Sequence, residues 1–536
     1  MRFPTRTSLS AGLAAAALLA PSTRAQVGAC PDWALPPANV SNDPAVSINP
    51  AVSVSDTGIL SVAWFDGAGP GIRYRRSTDG GLTWDPALLL PNSAATSARP
   101  SMSSRGMTID VVFVGSPSGG MGPTAKLARS TNGGMSFSTQ TIPSPPGTAP
   151  ILVKVRTTED SSYVLFNNLV LGTPNKDVSI SKSTDGGMTW ANLPFPSGST
   201  LSCDAPAFDV LPDFLDSGGD QISLAYRQFL PSTTPTASVI FRQSDDGGQT
   251  WSAPLVLDAS VPATGSGPVP DYPLDVSSKG DRVAVLYLDE APPGQTAPDI
   301  AYRESQDGGI SFGAPINLTA GIDVLPGYST VRAVGGRSYV YTQMTTPGIN
   351  LAQVYEICVD GASATRATPI TPPNSNGASV SSNGSAMLLG YNQVVGGSNL
   401  EISATVAPLC GQLKRVDGFA CPGMAGPASA TATGDFCGTF NVVFTNLPPA
   451  TIGLLAIAAQ LALTPPVILG CPVGVEPFGV VFAPVTADST GSVVLTAGGP
   501  LGSGFAFLLA YLDPTSVGGL GLSLSELYCF LYGGQL

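Results

Sequence analysis

Seven apolar runs recur at a nearly regular spacing along about the first 400 residues of the chain. Each run is rich in β-branched and aromatic residues and is bounded by Gly, Pro, Asn, Asp or Ser, which is typical of a buried β-strand. The runs lie at 59–65, 108–114, 162–168, 221–227, 282–288, 337–343 and 386–392. Their spacing of roughly 48 to 61 residues is long enough for one four-stranded sheet each. The pattern therefore predicts an all-β propeller, with these runs as the inner strands of its blades.

The number of blades follows from how the last run is assigned. Seven units fit between about residue 41 and residue 410. If the run at 386–392 instead completes a neighbouring sheet, six blades remain. We prefer seven.

A repeated octapeptide follows five of the seven runs. Its pattern is Ser-x-Asp-x-Gly-x-Thr-Trp, and successive copies begin 53, 53, 61 and 61 residues apart. The pair of adjacent glycines supplies positive φ in a tight turn, the short acidic side chain accepts turn N–H groups, and the aromatic ring packs between neighbouring sheets. The defining positions are Ser77, Asp79, Gly81 and Trp84; Ser130, Asn132, Gly134 and Phe137; Ser183, Asp185, Gly187 and Trp190; Ser244, Asp246, Gly248 and Trp251; and Ser305, Asp307, Gly309 and Phe312.

The aspartates of these copies could serve catalysis, metal binding or turn formation. An active site needs one constellation of side chains, whereas these carboxylates occur once per blade. We therefore expect them to be structural, and we expect no metal site and no cofactor.

The octapeptide resembles the Asp-box, or BNR repeat, of sialidases and related β-propellers, and the resemblance covers roughly residues 44 to 320. The family's enzymes use an arginine triad that grips a carboxylate, an Asp acid/base and a Tyr nucleophile aided by Glu. Their first blade opens with an aromatic-Arg-Ile-Pro motif. Here the corresponding residues are Ser47-Ile48-Asn49-Pro50, which retain the proline but lack the arginine.

Two residues are the candidates for catalysis that this resemblance implies. Tyr328, in Gly-Tyr-Ser-Thr-Val, resembles the Tyr-Ser pattern around the family's nucleophile, and Asp66 is a candidate acid. Tyr328 also occupies a blade-entry position that proline marks in other units, which is a structural alternative. Four arginines lie at blade entries or strand ends, where a central site could form: Arg99, Arg156, Arg227 and Arg332.

Composition narrows the chemistry further. The chain contains no histidine, which excludes imidazole bases and histidine metal ligands. Its net charge of −13 argues against nucleic acid and anionic membranes as partners.

The two ends of the chain predict export and a second domain. Residues 1–25 have the charged start, apolar centre and small-residue end of a signal peptide. Residues 26–410 would form the propeller, and residues 411–536, which lack the octapeptide, a small β-sandwich-like domain. The apolar stretch 452–463 is too short to span a membrane and is expected in the core. The eight cysteines favour disulfides in an exported protein, among which we favour Cys30–Cys410 because the ends of a ring must meet.

Together these features predict a secreted or cell-surface propeller that binds an extracellular glycan or protein without catalysis. The alternative is an exo-α-sialidase-like glycoside hydrolase with a diverged active site. A third possibility is a spacer whose C-terminal domain directs its location.

Overall fold

The structure is a computed structural model in which strands are the only regular elements of the described residues. It describes residue 33 and residues 37–408, apart from gaps at 44–45, 68, 94–98, 116–121, 195–200, 213–218, 230–235, 263–272, 290–297, 321–324, 335–336, 347–350, 362, 385 and 396–398. Beyond residue 411 it describes only strand segments. The predicted signal peptide at 1–25 and both cysteines of the pair Cys30–Cys410 lie outside the described residues.

Seven four-stranded antiparallel sheets form the blades of a β-propeller, so the preferred count of seven is confirmed. The first strand, β1 (Ala38–Asn39), belongs to the last blade. Blade 1 contains β2 (Ser47–Val54), β3 (Leu60–Asp66), β4 (Gly71–Ser77) and β5 (Leu88–Leu89). Blade 2 contains β6 (Ser101–Arg105), β7 (Thr108–Gly115), β8 (Thr124–Ser130) and β9 (Ser138–Ile142). Blade 3 contains β10 (Thr148–Thr157), β11 (Ser162–Val170), β12 (Lys176–Ser183) and β13 (Ala191–Asn192).

The remaining blades follow the same order along the chain. Blade 4 contains β14 (Cys203–Leu211), β15 (Gln221–Phe229), β16 (Thr236–Ser244) and β17 (Leu255–Pro262). Blade 5 contains β18 (Asp275–Lys279), β19 (Arg282–Leu288), β20 (Ile300–Ser305) and β21 (Ile316–Asn317). Blade 6 contains β22 (Leu325–Val334), β23 (Arg337–Thr346), β24 (Leu351–Asp360) and β25 (Ser363–Pro369). Blade 7 contains β26 (Ser375–Ser382), β27 (Ala386–Val395), β28 (Asn399–Pro408) and the early strand β1.

The ring is closed by pairing the beginning of the chain with the last blade. Strand β1 lies antiparallel to β28, with Ala38 opposite Ala404. Glu401 on β28 accepts a hydrogen bond from the side-chain amide of Asn39 at 2.6 Å. Because β1 completes blade 7 as its outermost strand, the two ends of the ring are held by a ladder of backbone hydrogen bonds.

An earlier residue, Trp33, ties the N-terminal segment to blade 6. Its ring meets that of Tyr341 edge-on, with 5.8 Å between centroids, and its indole N–H donates to Glu356 at 3.2 Å. The Tyr341 hydroxyl donates to the same carboxyl oxygen at 2.5 Å. Burial raises the pKa of Glu356 to about 7.

The seven apolar runs are the second strands of the blades, and the expectation that they are the innermost strands was wrong. The strands that contact one another around the axis are β2, β6, β10, β14, β18, β22 and β26. A second strand is covered on both faces by neighbouring blades, so it is apolar at nearly every position; all seven residues of β3 are buried. An innermost strand has one edge on the central channel and therefore carries more polar residues.

The hydrophobic core consists of layers between the blades. One cluster of buried residues lies at each of the seven blade interfaces. At the interface of blades 1 and 2, for example, Phe65 and Tyr74 pack against Phe113. Every sheet is thus stabilised by two neighbours, which makes closure of the ring a requirement for burial.

The described C-terminal segments are also strands. They are β29 (Gln412–Val416), β30 (Ser429–Gly434), β31 (Thr439–Thr445), β32 (Ile452–Ala458), β33 (Val467–Ile468), β34 (Cys471–Pro472), β35 (Val481–Thr486), β36 (Val493–Gly498), β37 (Gly504–Leu512), β38 (Leu522–Leu524) and β39 (Leu527–Leu531). One sheet has the order β29-β39-β37-β32-β35 with β38 beside β37, a second the order β30-β31-β36, and β33 pairs with β34. A sandwich of these sheets stays a prediction. No helix in the described part of the chain is long and apolar enough to cross a membrane.

Candidate functional site

The five octapeptides lie between the third and fourth strands of blades 1 to 5, away from the central channel. In every copy the opening serine hydroxyl donates to the Asp or Asn side chain at 2.6–2.9 Å and accepts the N–H of the second glycine at 2.8–2.9 Å. The same Asp or Asn oxygen accepts the N–H of the seventh residue at 2.9–3.1 Å. We call these segments the octapeptide turns. The opening serine and the Asp or Asn are thus occupied by bonds within each turn.

The acidic side chains of the turns are stabilised in their charged form. The hydroxyl and N–H of Thr83 lower the pKa of Asp79 to about 2, and those of Thr189 lower the pKa of Asp185 to about 2. Asn132 takes the same place in the second turn but donates its amide N–H to the hydroxyl of Ser136 at 2.8 Å. The turn geometry thus survives the loss of the charge.

Each turn also contacts the preceding blade. The closing aromatic packs into the interface with that blade: Trp84 between blades 7 and 1, Phe137 between 1 and 2, Trp190 between 2 and 3, Trp251 between 3 and 4, and Phe312 between 4 and 5. Phe137, for instance, meets the Tyr74 ring edge-on with 4.8 Å between centroids. The turns therefore join neighbouring blades, and they are not brought together around one cleft.

The innermost strands begin at one end of the central channel, which we call the mouth. Neighbouring innermost strands run in the same direction. Val52 donates its N–H to Ser379, and Val54, two residues further along, donates to Ser381, two residues further along the neighbouring strand. Four of the innermost strands start with a bulge in which two residues oppose one residue of the second strand. The bulged pairs are Asn49-Pro50, Ala205-Pro206, Gly327-Tyr328 and Gly377-Ala378.

The first catalytic candidate, Tyr328, lies at the mouth in the bulge of blade 6 and is half-buried. The guanidinium carbon of Arg99 lies 5.5 Å from the centroid of its ring, within range of a cation–π interaction. Arg99 precedes the innermost strand of blade 2, which is not a neighbour of blade 6. The contact therefore crosses the mouth.

The second catalytic candidate, Asp66, lies at the end of β3 and has a fully buried side chain. Its carboxylate is ion-paired with Arg73 on the adjacent strand of blade 1. Asp66 and Tyr328 thus belong to different blades, and an arginine engages each of them. Of the four arginines singled out in the sequence, Arg227 is also buried in an ion pair within its own blade, with its Nε 2.8 Å from Asp204.

Hydroxyl groups line the inner edges of the blades. In blade 7, Ser379 and Ser381 accept the N–H groups of Val52 and Val54 in blade 1 at 3.3 and 3.1 Å. In blade 2, Ser101 and Ser103 accept those of Val155 and Thr157 in blade 3 at 3.2 and 3.0 Å. The otherwise unpaired edges of the innermost strands are satisfied in this way, which links the blades around the channel.

Five charged side chains on four innermost strands form a group that we call the channel cluster: Lys154 and Arg156 of blade 3, Asp209 of blade 4, Asp275 of blade 5 and Arg332 of blade 6. Arg156 pairs with Asp209 at 2.7 Å, and Arg332 pairs with Asp275 at 3.0 Å. Lys154 is close enough to Asp275 and Arg332 for their charges to act on its pKa, although these residues belong to blades that do not adjoin its own. The cluster therefore spans four successive blades around the channel.

The sequence predicts part of this cluster. It indicates Arg156 and Arg332 as possible central residues, but it gives no such indication for Lys154, Asp209 or Asp275. The available signal was the strand that precedes each apolar run, because that strand is the innermost one. Because the apolar runs are predicted to be the innermost strands, the polar residues on the strands before them are not predicted to lie at the central channel.

An apolar groove of about 560 Å³ lies between blades 2 and 3. Its wall includes Pro123, Ile142, Pro150, Ile151 and Leu169, and none of the described residues that line it is charged. Ile151 lies at the irregular start of β10, close to the mouth. The groove offers contact area but none of the groups that catalysis requires.

No protein-family description and no curated protein matches this chain. Among solved structures, a protein of unknown function from Dyadobacter fermentans DSM 18053 is similar at 15% identity over 70% of this chain and 99% of that chain, with a TM-score of 0.42. A polysaccharide lyase of family PL25, an ulvan lyase, is similar at 13% identity over 70% and 96% of the two chains, with a TM-score of 0.44. Trypanosoma rangeli sialidase is similar at 14% identity over 92% of each chain, with a TM-score of 0.37. At this level, the likenesses carry no information about activity.

Proposed function

We propose that this protein is a secreted or cell-surface β-propeller that binds an extracellular glycan or protein ligand at the channel mouth and does not transform it chemically. Residues 1–25 direct export, residues 26–410 present the binding site, and residues 411–536 form an attached β domain. The octapeptide turns serve as joints between blades and take no part in binding.

One observation carries the non-catalytic assignment: neither of the two side chains with catalytic potential has the surroundings that its catalytic role requires. The Asp66 carboxylate is fully buried in an ion pair with Arg73, so it cannot reach a bound sugar as an acid must. Among the described residues, no carboxylate accepts a hydrogen bond from the Tyr328 hydroxyl, which leaves the phenol without the base that a nucleophile requires.

The mouth nevertheless offers the groups that a ligand site needs. The ring of Tyr328 and the guanidinium of Arg99 together provide an apolar face and several N–H donors. The apolar groove that begins near Ile151 extends this surface. A site with a few placed polar groups beside apolar area is typical of ligand binding in general.

A glycan array combined with a fluorogenic sialoside assay on the full-length mature protein tests the proposal. We expect binding without turnover. Tyr328→Phe should preserve binding because the ring remains, whereas Tyr328→Ala and Arg99→Ala should each weaken it by about fivefold, corresponding to a loss of about 1 kcal/mol. Arg337→Ala is the matched control, because Arg337 lies at the other end of blade 6 in an exposed pair with Asp360.

Three outcomes would contradict the proposal. Turnover of the sialoside that is abolished by Tyr328→Phe would identify a glycoside hydrolase. The deletion of residues 411–536 could leave the protein at its natural location but abolish all ligand binding. That result would place the binding site in the C-terminal domain. If that deletion instead abolished the location and the propeller bound nothing, the protein would be a spacer.

A further inference from the structure

The channel cluster contains more positive than negative side chains. It contains three basic side chains, Lys154, Arg156 and Arg332, and two carboxylates, so one positive charge is in excess. This excess occurs in a chain whose net charge is −13 and which contains only 24 lysines and arginines. A surplus cation on the axis is thus unusual for this protein.

Each of the two arginines of the cluster is ion-paired and also bonds to a backbone carbonyl oxygen. Arg156 donates to the carboxylate of Asp209 at 2.7 Å and to a backbone carbonyl oxygen at 3.0 Å. Arg332 donates to Asp275 at 3.0 Å and to the carbonyl oxygen of Val380 at 2.8 Å. Both carboxylates are occupied as well, since Asp209 accepts the N–H of Ser278 at 2.8 Å and Asp275 the hydroxyl of Thr330 at 2.6 Å.

Lys154 is the member of the cluster that lacks such a partner. Its ammonium group makes no hydrogen bond and no ion pair with the residues that the structure describes, and the side chain is half-buried. Burial lowers its pKa, while the charge of Asp275 acts in the opposite direction. An ammonium group removed from bulk water without a partner is unfavourable, and an anion beside it would relieve that cost.

We propose that Lys154 holds a small monovalent anion, a halide or a short carboxylate, in the central channel below the mouth. One anion neutralises the excess charge of the cluster. A divalent anion would leave a negative charge next to Asp209 and Asp275 and is disfavoured. The anion supplies the missing partner of Lys154 and links blade 3 to the cluster around the axis.

Chloride-35 NMR line broadening on the full-length mature protein tests this site, because bound chloride broadens the line in proportion to its population. We expect excess broadening that bromide and formate displace. Lys154→Met, which keeps the length and removes the charge, should abolish most of the excess. Lys126→Met is the matched control, since Lys126 is another half-buried lysine without an ion pair but lies on the third strand of blade 2.

The outcomes separate clearly. Broadening that is lost in Lys154→Met, kept in Lys126→Met and retained in Lys154→Arg supports the site, and far-ultraviolet circular dichroism confirms that each variant is folded. If Lys154→Met does not fold, Lys154→Arg together with bromide located by anomalous scattering in crystals of the wild type decides the question. Equal broadening in wild type and Lys154→Met, or none in the wild type, would overturn the proposal. Because the assay contains no glycan or protein ligand, its result does not depend on the proposed function.

Discussion

The contact between an octapeptide turn and the preceding blade can be tested at a single glycine. A Cβ atom added at Gly134 would lie 2.7 Å from Cζ and 2.9 Å from Cε1 of Tyr74, and it would overlap the tyrosine hydroxyl. Tyr74 cannot easily move, because it is 1% exposed, its hydroxyl is hydrogen-bonded to Ser61 at 2.9 Å and its ring packs on Phe137. Gly134→Ala should therefore force the turn and the neighbouring blade apart.

The backbone cost of this change can be separated from the steric cost. Gly134 has a φ of 83°, and Gly80 in the first turn has a φ of 75° with no atom of the described residues within 4 Å of an added Cβ. Gly80→Ala should therefore cost only the left-handed conformation, about 1 kcal/mol after the gain from a stiffer unfolded chain. Gly134→Ala should cost about 2 to 4 kcal/mol, because an overpacked core adds about 1 to 3 kcal/mol.

Equilibrium unfolding in urea, with both variants compared to wild type, measures the difference. Tyr74→Phe in the Gly134→Ala background removes the hydroxyl that the new methyl group overlaps, so it should recover part of the lost free energy. Equal destabilisation by Gly80→Ala and Gly134→Ala would refute the argument that the turn is pressed against the neighbouring blade.

Three further predictions concern the turns and the buried acid. Asp185→Ala should lower the midpoint of urea unfolding without changing ligand affinity, since its carboxylate bonds only within its own turn; an unchanged midpoint with lost binding would contradict a structural role. The folded pKa values of Asp79 and Asp185 are about 2, which is below their unfolded values. The stability that these carboxylates provide is therefore present above about pH 4 and is lost as the pH falls toward 2. Urea midpoints of wild type and Asp79→Asn across this pH range test this dependence. Glu356 should change stability with pH in the opposite direction, because its folded pKa of about 7 lies above the unfolded value. Stability should fall by up to about 3 kcal/mol as the pH rises from about 4.5 through 7. Glu356→Gln should flatten that dependence.

Much of the propeller could be predicted from the sequence because its signals are local. The bonds of an octapeptide turn join residues no more than four positions apart, so eight residues are enough to specify it. The apolar runs mark strands that are buried on both faces, and their number gave the number of blades. What a strand's apolarity does not reveal is its distance from the axis, which is why the second strands were mistaken for the innermost ones.

The central site depended on the closed ring. Lys154 and Arg332 are more than a hundred residues apart in sequence, and Asp275 lies between them. Only the circular arrangement of blades brings the three residues to one channel. The same holds for the contact of Arg99 with Tyr328 across the mouth. Whether a given acid faces a ligand or an ion-pair partner was likewise decided by packing, as the burial of Asp66 against Arg73 shows. The sequence thus determined the repeating unit, since that unit is stabilised by near neighbours. The tertiary structure decided which charges meet, since their proximity comes from the ring as a whole.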